Sequence, residues 1–153
     1  MSESISSELK LERQRGFEIL EGYKNINLPR RTTAQSAGYD FESAKDIVLE
    51  KNKIVLVPTG LKAFMLADEV LLIYIRSSLA YKFQIILANG VGVIDADYNG
   101  HILFPMLNLG EQDFEIKKGM RVAQGVFQKY LTVDGDEAGI GNKRQGGFGS
   151  TGD

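Results

Sequence analysis

Between Phe17 and Leu131 no apolar run continues far before a turn residue cuts it. That cadence restricts the fold more than any other feature, because amphipathic helices need ten or more residues of sustained periodicity. Phe17 and Ile19 open the series, and a polar connector runs from Asn27 to Thr33. Ala37-Gly38-Tyr39-Asp40-Phe41 then alternates small, aromatic and polar residues. Asp46 to Leu49 and Lys53 to Val57 read as strands on either side of the Glu50-Lys51-Asn52 turn, and Leu61 to Leu66 follows the break at Pro58-Thr59-Gly60. Val70 to Ile75 is wholly apolar and rich in β-formers, which predicts a buried strand. Asp113 to Lys118 alternates and then turns at Gly119. Arg121 to Leu131 reads as a long final strand, with Val122, Val126 and Tyr130 on one face and Phe127 and Leu131 on the other. About ten short strands with one short helix predict an all-β fold: an antiparallel sandwich or barrel of jelly-roll type.

There is no internal repeat and no second composition block. The expected layout is a polar, mobile arm at 1–15, one β domain at 16–133 and an acidic, Gly-rich mobile tail at 134–153. At 153 residues the chain can bury a real core. A net charge of −2 gives no bulk electrostatic case for duplex nucleic acid or an anionic membrane, so direct nucleic-acid binding is not expected. The absence of Cys excludes disulfides and thiolate metal sites, and the single His101 excludes a multi-histidine centre within one chain. No apolar run approaches a membrane span, and the first residues lack a signal-peptide stretch. A soluble, cytoplasmic protein is the expectation.

The chemistry concentrates in a few places. Residues 89–100 read NGVGVIDADYNG, with Asp95 and Asp97 two apart and Tyr98 next, between apolar stretches at 83–88 and 102–109. Asn99-Gly100 is a favoured two-residue hairpin turn, because both of its central positions want φ > 0. The segment therefore reads as a β-hairpin. Its Gly-rich first arm allows a ligand close to the backbone, and its carboxylate and aromatic suit holding a ring and orienting a water. A solvent-facing Asp pair in a polar turn is the bland reading. Arg76-Ser77-Ser78 follows the buried strand and precedes Leu79-Ala80. Either the serines cap a short helix, or its N-terminus and the guanidinium hold phosphate. Residues 143–152, KRQGGFGSTG, join two cations, glycines and two hydroxyls around Phe148. That composition suits a phosphate-binding tail with an aromatic lid, or simply a flexible charged tail. Asp40 is either a carboxylate acting on a metal through water or a strand-end Asp. Gln124 either donates to a phosphate or sits on an exposed face. His101 reads as a solvated histidine.

Taken in order, these elements resemble the trimeric deoxyuridine triphosphatase (dUTPase) family. Its signature motifs have counterparts at 37–41, 76–79, 89–100, 121–124 and 146–152, within a likeness covering roughly Phe17 to Gly152. The resemblance implies a jelly-roll homotrimer with active sites shared between subunits. It also implies the reaction dUTP + water → dUMP + pyrophosphate, with Mg²⁺ on the triphosphate, which keeps uracil out of DNA and supplies dUMP for thymidylate synthesis. By the same likeness, Asp95 deprotonates the attacking water and contacts the deoxyribose 3′-OH. Tyr98 packs on the sugar and leaves no space for a 2′-OH. Asn89 and the hairpin backbone at Gly92, Val93 and Ile94 read the uracil edge. Arg76, Ser77 and Ser78 hold phosphates with help from Gln124, and Asp40 acts on the metal through water. Phe148 stacks over uracil while Gly149, Ser150 and Thr151 close on the triphosphate of a neighbouring chain. Lys143 stands where the family has arginine, and Arg144 where it often has glycine, so either is the γ-phosphate ligand. Ile75 and Ser78 depart from a common Pro and Gly. The rival readings are the related deoxycytidine triphosphate deaminase and a nucleotide-switched regulatory protein with a protein partner.

Overall fold

The computed structural model describes residues 12–139, 144 and 146–149. Among these, eleven strands and one helix follow one another along the chain: β1 (Gly16–Ile19), β2 (Tyr39–Glu42), β3 (Ile47–Leu49), β4 (Ile54–Pro58), β5 (Leu61–Phe64), β6 (Glu69–Ile75), α1 (Ser77–Phe83), β7 (Ile85–Leu87), β8 (Gly92–Asp95), β9 (Leu103–Asn108), β10 (Phe114–Ile116) and β11 (Arg121–Lys129). The strands form a four-stranded sheet in the order β2-β11-β6-β8, a three-stranded sheet β4-β9-β7, and two ribbons, β1-β5 and β10-β3. Every pairing between these strands is antiparallel. This is the expected all-β jelly roll.

The apolar run at 70–75 becomes β6, which pairs with β11 on one side and β8 on the other. Leu71 and Ile73 on it are buried together with Phe41, Val57, Ile85, Phe104, Met106 and Val122. Phe41 of one sheet meets Phe104 of the other edge to face, ring centroids 5.5 Å apart, and joins the two layers. β11 does not alternate as simply as its sequence predicts. Its register against β2 shifts between Arg121 and Ala123, so Val122 and Ala123 are both buried. Phe127 packs against Phe17 and Tyr39. β3 and β4, which flank one tight turn, are not partners: β3 pairs with β10 and β4 with β9.

Two local expectations change. The helix begins at Ser77, with Arg76 in extended conformation at its N-cap and no side-chain cap, so the serines lie inside the first turn instead of capping it. Arg76 stays extended because its N–H donates to Val122 O at 3.2 Å, continuing the strand pairing by one residue. A serine oxygen caps from the extended position, not from within the helix. At the other end of the chain, Arg15 is fixed to the body: its guanidinium spans both oxygens of the buried Glu69, with Nε at 3.1 and 2.9 Å. Residues 1–11 of the expected arm lie outside the described residues.

The hairpin reading is corrected. β8 pairs with β6, not with β9, while β7 and β9 pair through Ile85↔Asn108 and Leu87↔Met106. The apolar flanks at 83–88 and 102–109 are thus the arms, and residues 89–102 form a long excursion between them. The buried β6 offered a free edge to the alternating residues 92–95, and that pairing outweighed a tight turn. Asn99 and Gly100 are not among the residues with φ > 0. Gly100 is needed for a different reason: a Cβ there would meet Tyr98 Oη at 2.8 Å.

Candidate active site

The excursion at 89–102 carries the site. Because Gly92 is paired with Ile73 and Asp95 with Val70, β8 runs along the edge of the core sheet and presents its end to solvent. Beyond it the chain turns, with Tyr98 N–H donating to Asp95 O at 3.0 Å, and the Tyr98 ring folds back so that its hydroxyl donates to His101 O at 2.7 Å. These turns enclose a cleft of about 230 Å³. Ile73, Leu87, Leu103 and Phe104 supply its apolar lining, and Asn89, Asp95, Tyr98 and His101 its polar groups. An apolar slot with a few convergent polar groups suits a flat ring joined to a polar body.

The tail of the same chain reaches this cleft. Arg144 Nε donates to Asp97 Oδ1 at 2.7 Å, its Nη1 donates to Gly146 O at 3.0 Å, and its Nη2 pairs with Asp95 Oδ2. The guanidinium carbon lies 5.9 Å from the Tyr98 ring centre. Hydrogen bonding to Asp97 raises the Arg144 pKa above its usual value, with both carboxylates adding to the effect. One cation thus gathers the two carboxylates that the sequence placed two apart. Gly147 and the largely exposed Phe148 complete the rim.

Of the residues expected at the site, the cleft brings together Asn89, Gly92, Val93, Ile94, Asp95, Tyr98, Arg144 and Phe148. Arg76, Ser77, Ser78, Gln124 and Gly149 are not among its lining residues. Asp40 lies in a second depression with Arg30, Arg31, Thr32, Glu42 and Arg121, where Arg121 Nη1 approaches its Oδ2 at 3.6 Å. Gln124 pairs in register with Asp40 on the neighbouring strand. A Cβ at Gly38 would run into the Gln124 amide oxygen, so the glycine before Tyr39 makes room for that side chain. Lys143, Ser150 and Thr151 lie outside the described residues.

His101 is a correction. It is half-buried rather than solvated, and its Nε2 accepts the Gly60 N–H at 2.8 Å. Burial lowers its pKa, and the nearby Lys45 ammonium lowers it further. The sequence showed no partner because the donor is a backbone group on a distant turn.

Fold and cleft together define an antiparallel jelly roll with an apolar cleft that Asp95 and Tyr98 line, Asp97 being tied to Asp95 through Arg144. A family model described as dUTPase matches residues 24–152. The chain is 49% identical over 146 residues to the deoxyuridine 5′-triphosphate nucleotidohydrolase of Lactococcus lactis, covering 90% of this chain and 97% of that protein. The crystal structure of dUTPase from Streptococcus mutans superposes with a TM-score of 0.75 at 45% identity, over 78% of this chain and 99% of that one. A mutant dUTPase from phage phi11 of S. aureus, whose structure concerns the coordination of a structural Mg(II) ion, shares the fold with a TM-score of 0.72 at 21% identity, over 82% of this chain and 97% of that one. The chain belongs to the dUTPase family. Among the described residues no helix is long and apolar enough to cross a membrane.

Proposed function

We propose that this protein hydrolyses dUTP to dUMP and pyrophosphate by attack of an Asp95-activated water on the α-phosphorus. The observation that carries the reading is the cleft itself. Its lining sets apolar Ile73, Leu87, Leu103 and Phe104 beside the polar groups of Asn89, Asp95 and Tyr98. Phosphoryl transfer of this kind needs a positioned water and charge neutralisation more than covalent chemistry. Asp95 is exposed at the mouth and serves as the base, while touching the 3′-OH. Tyr98 is the sugar filter. Asn89 and the backbone of Gly92, Val93 and Ile94 read the uracil edge, and Phe148 covers the base. The domain comprises residues 16–133, and the tail at 134–153 closes it with Gly149, Ser150 and Thr151 on the triphosphate. We assign the γ-phosphate to Arg144 over Lys143, since its guanidinium already reaches the cleft mouth. A triphosphate competes with Asp95 and Asp97 for that fork.

Arg76, Ser77, Ser78 and Gln124 bind phosphates in this reading, yet they do not line the slot that takes the base. That separation supports a homotrimer in which one chain supplies the uracil slot and another the phosphate-binding residues. Exposed Ile54 and Leu56 on β4 offer apolar surface for such contacts.

Among the described residues no three acidic or histidine groups converge, and Asp40 stands beside an arginine. These oxygen donors fit Mg²⁺ carried mainly by triphosphate oxygens and waters, with Asp40 holding it through water, and do not fit an ion caged by protein. Bound there, the ion supplies neutralisation of phosphate charge.

Product analysis with dUTP and Mg²⁺ tests the assignment, with dCTP, UTP and a chelator in parallel. Pyrophosphate and dUMP from dUTP alone are expected, with Asp95→Asn slower by roughly 10²–10⁴-fold. Ammonia from dCTP would move the chain to deaminase chemistry. Binding of dUTP without turnover would favour a nucleotide-switched regulator and a protein partner.

A further inference from the structure

Tyr98 is not held by its own loop alone. Its hydroxyl ends on the backbone oxygen of His101, and the His101 imidazole is in turn bonded to Gly60 N–H. Gly60 sits at φ +72° in the turn between β4 and β5, where a Cβ would press on the Tyr23 ring at 2.8 Å. Tyr23 meets the imidazole edge-on, with ring centroids 5.2 Å apart. The neighbouring residues reinforce the junction: Thr59 Oγ1 donates to Ile102 O at 2.7 Å, and Ile102 N–H donates to Leu61 O at 2.9 Å. Residues 101–102 are therefore clipped to 59–61, and His101 is the link that passes this anchorage to the tyrosine.

An Nε2 that accepts belongs to a neutral imidazole with its proton on Nδ1. Protonation would set two N–H donors against each other and open the junction. The groups that bear on that proton are Lys45, the Tyr23 ring packed on the imidazole, Tyr98 on its carbonyl, and the Asp95–Arg144 pair that shares the cleft.

We infer that His101 is a positioning residue for sugar discrimination: by joining Tyr98 to the β4–β5 turn, it keeps the tyrosine ring in the space that a ribose 2′-OH would need. This rests on the sugar-filter role proposed for Tyr98. No substrate contact is assigned to the imidazole.

The test compares kcat and KM for dUTP and for UTP in the wild type, His101→Ala, His101→Gln and Tyr98→Phe. In His101→Ala the preference for dUTP over UTP is expected to fall about tenfold, the effect of one lost hydrogen-bonded anchor. KM for dUTP should rise while kcat at saturating dUTP changes less. His101→Gln, whose amide oxygen can still accept from Gly60 N–H, should keep most of the preference. Tyr98→Phe combined with His101→Ala should be little worse than either alone, because both cut the same link. The wild-type preference should also weaken as pH falls below the usual histidine range, whereas the Gln variant should not follow. An unchanged dUTP:UTP ratio in folded His101→Ala would overturn the inference, as would an equal loss on both nucleotides. If the Ala variant does not fold, a loss of the dUTP preference in folded His101→Gln as large as that in Tyr98→Phe overturns it. A wild type that takes UTP as readily as dUTP would instead bring down the filter reading of Tyr98, and this inference with it.

Discussion

At the scale of single residues, buried polar groups here are matched atom by atom. Asn108 is fully buried at the end of β9. Its Nδ2 donates to Leu49 O at 2.9 Å and to Gln112 O at 2.8 Å, while its Oδ1 accepts the Gly110 N–H at 2.9 Å. Leaving such groups unpaired costs about 1–3 kcal/mol. Asn108→Ala is accordingly expected to lower stability by roughly 3 kcal/mol in urea unfolding, since a cavity adds to the lost bonds. The legibility of individual residues followed whether their partners were near in sequence. Asp95 and Tyr98 stood out because their side chains announce chemistry within one short segment. Asn108 and His101 did not, because their partners are backbone groups brought close only by the fold. Gly100 was recognised as necessary but for the wrong cause: the neighbouring tyrosine ring excludes a side chain there, with no demand on φ.

At the scale of elements, strand existence was readable and strand partnership was not. The apolar run of β6 and the long β11 were plain, yet nothing local shows that β8 joins β6 while β7 reaches β9. The error over the hairpin arose there, since a favourable turn dipeptide competes with the free edge of a buried strand and loses. The segment before β1 also belongs to the body more than its polarity implies, because Arg15 reaches the foot of β6. The hydrogen bond from Arg15 lowers the Glu69 pKa, against the opposing effect of burial, and a bond from Leu66 N–H assists. A carboxylate with a depressed folded-state pKa stabilises above its unfolded value of about 4.3 and loses that contribution as pH falls through the folded value. Glu69→Gln should therefore lower the urea midpoint near neutral pH, and the gap from wild type should close in acid below about pH 4.

At the scale of the whole molecule, Arg76, Ser77, Ser78 and Gln124, the residues proposed to hold phosphate, do not line the cleft proposed to take the base, and only an assembly reunites them in that scheme. Mixing chains tests this without reference to any single contact. Asp95→Asn and Arg76→Ala chains, each inactive, should regain about a quarter of wild-type activity when co-refolded in equal amounts, as random pairing across subunits restores that share of sites. A site built within one chain would regain none. Sedimentation at the mass of three chains is the companion expectation, and sedimentation at one-chain mass would remove the shared-site scheme.

The pairing of β6 with β11 also governs when the molecule can first exist. Residues 69–75 lie near the middle of the chain, but the longer of their two neighbours spans Arg121–Lys129. A nascent polypeptide has no complete place to shelter Leu71 and Ile73 until the residues through Lys129 have been synthesised. Strands added in chain order can cover β6 on its β8 side first, but its β11 side stays open until the last strand is made. Slow folding is the expectation for a chain whose contacts are this far apart in sequence, and stopped-flow refolding would measure it. Until then its most apolar strand is incompletely covered, the condition in which unpaired edges favour aggregation.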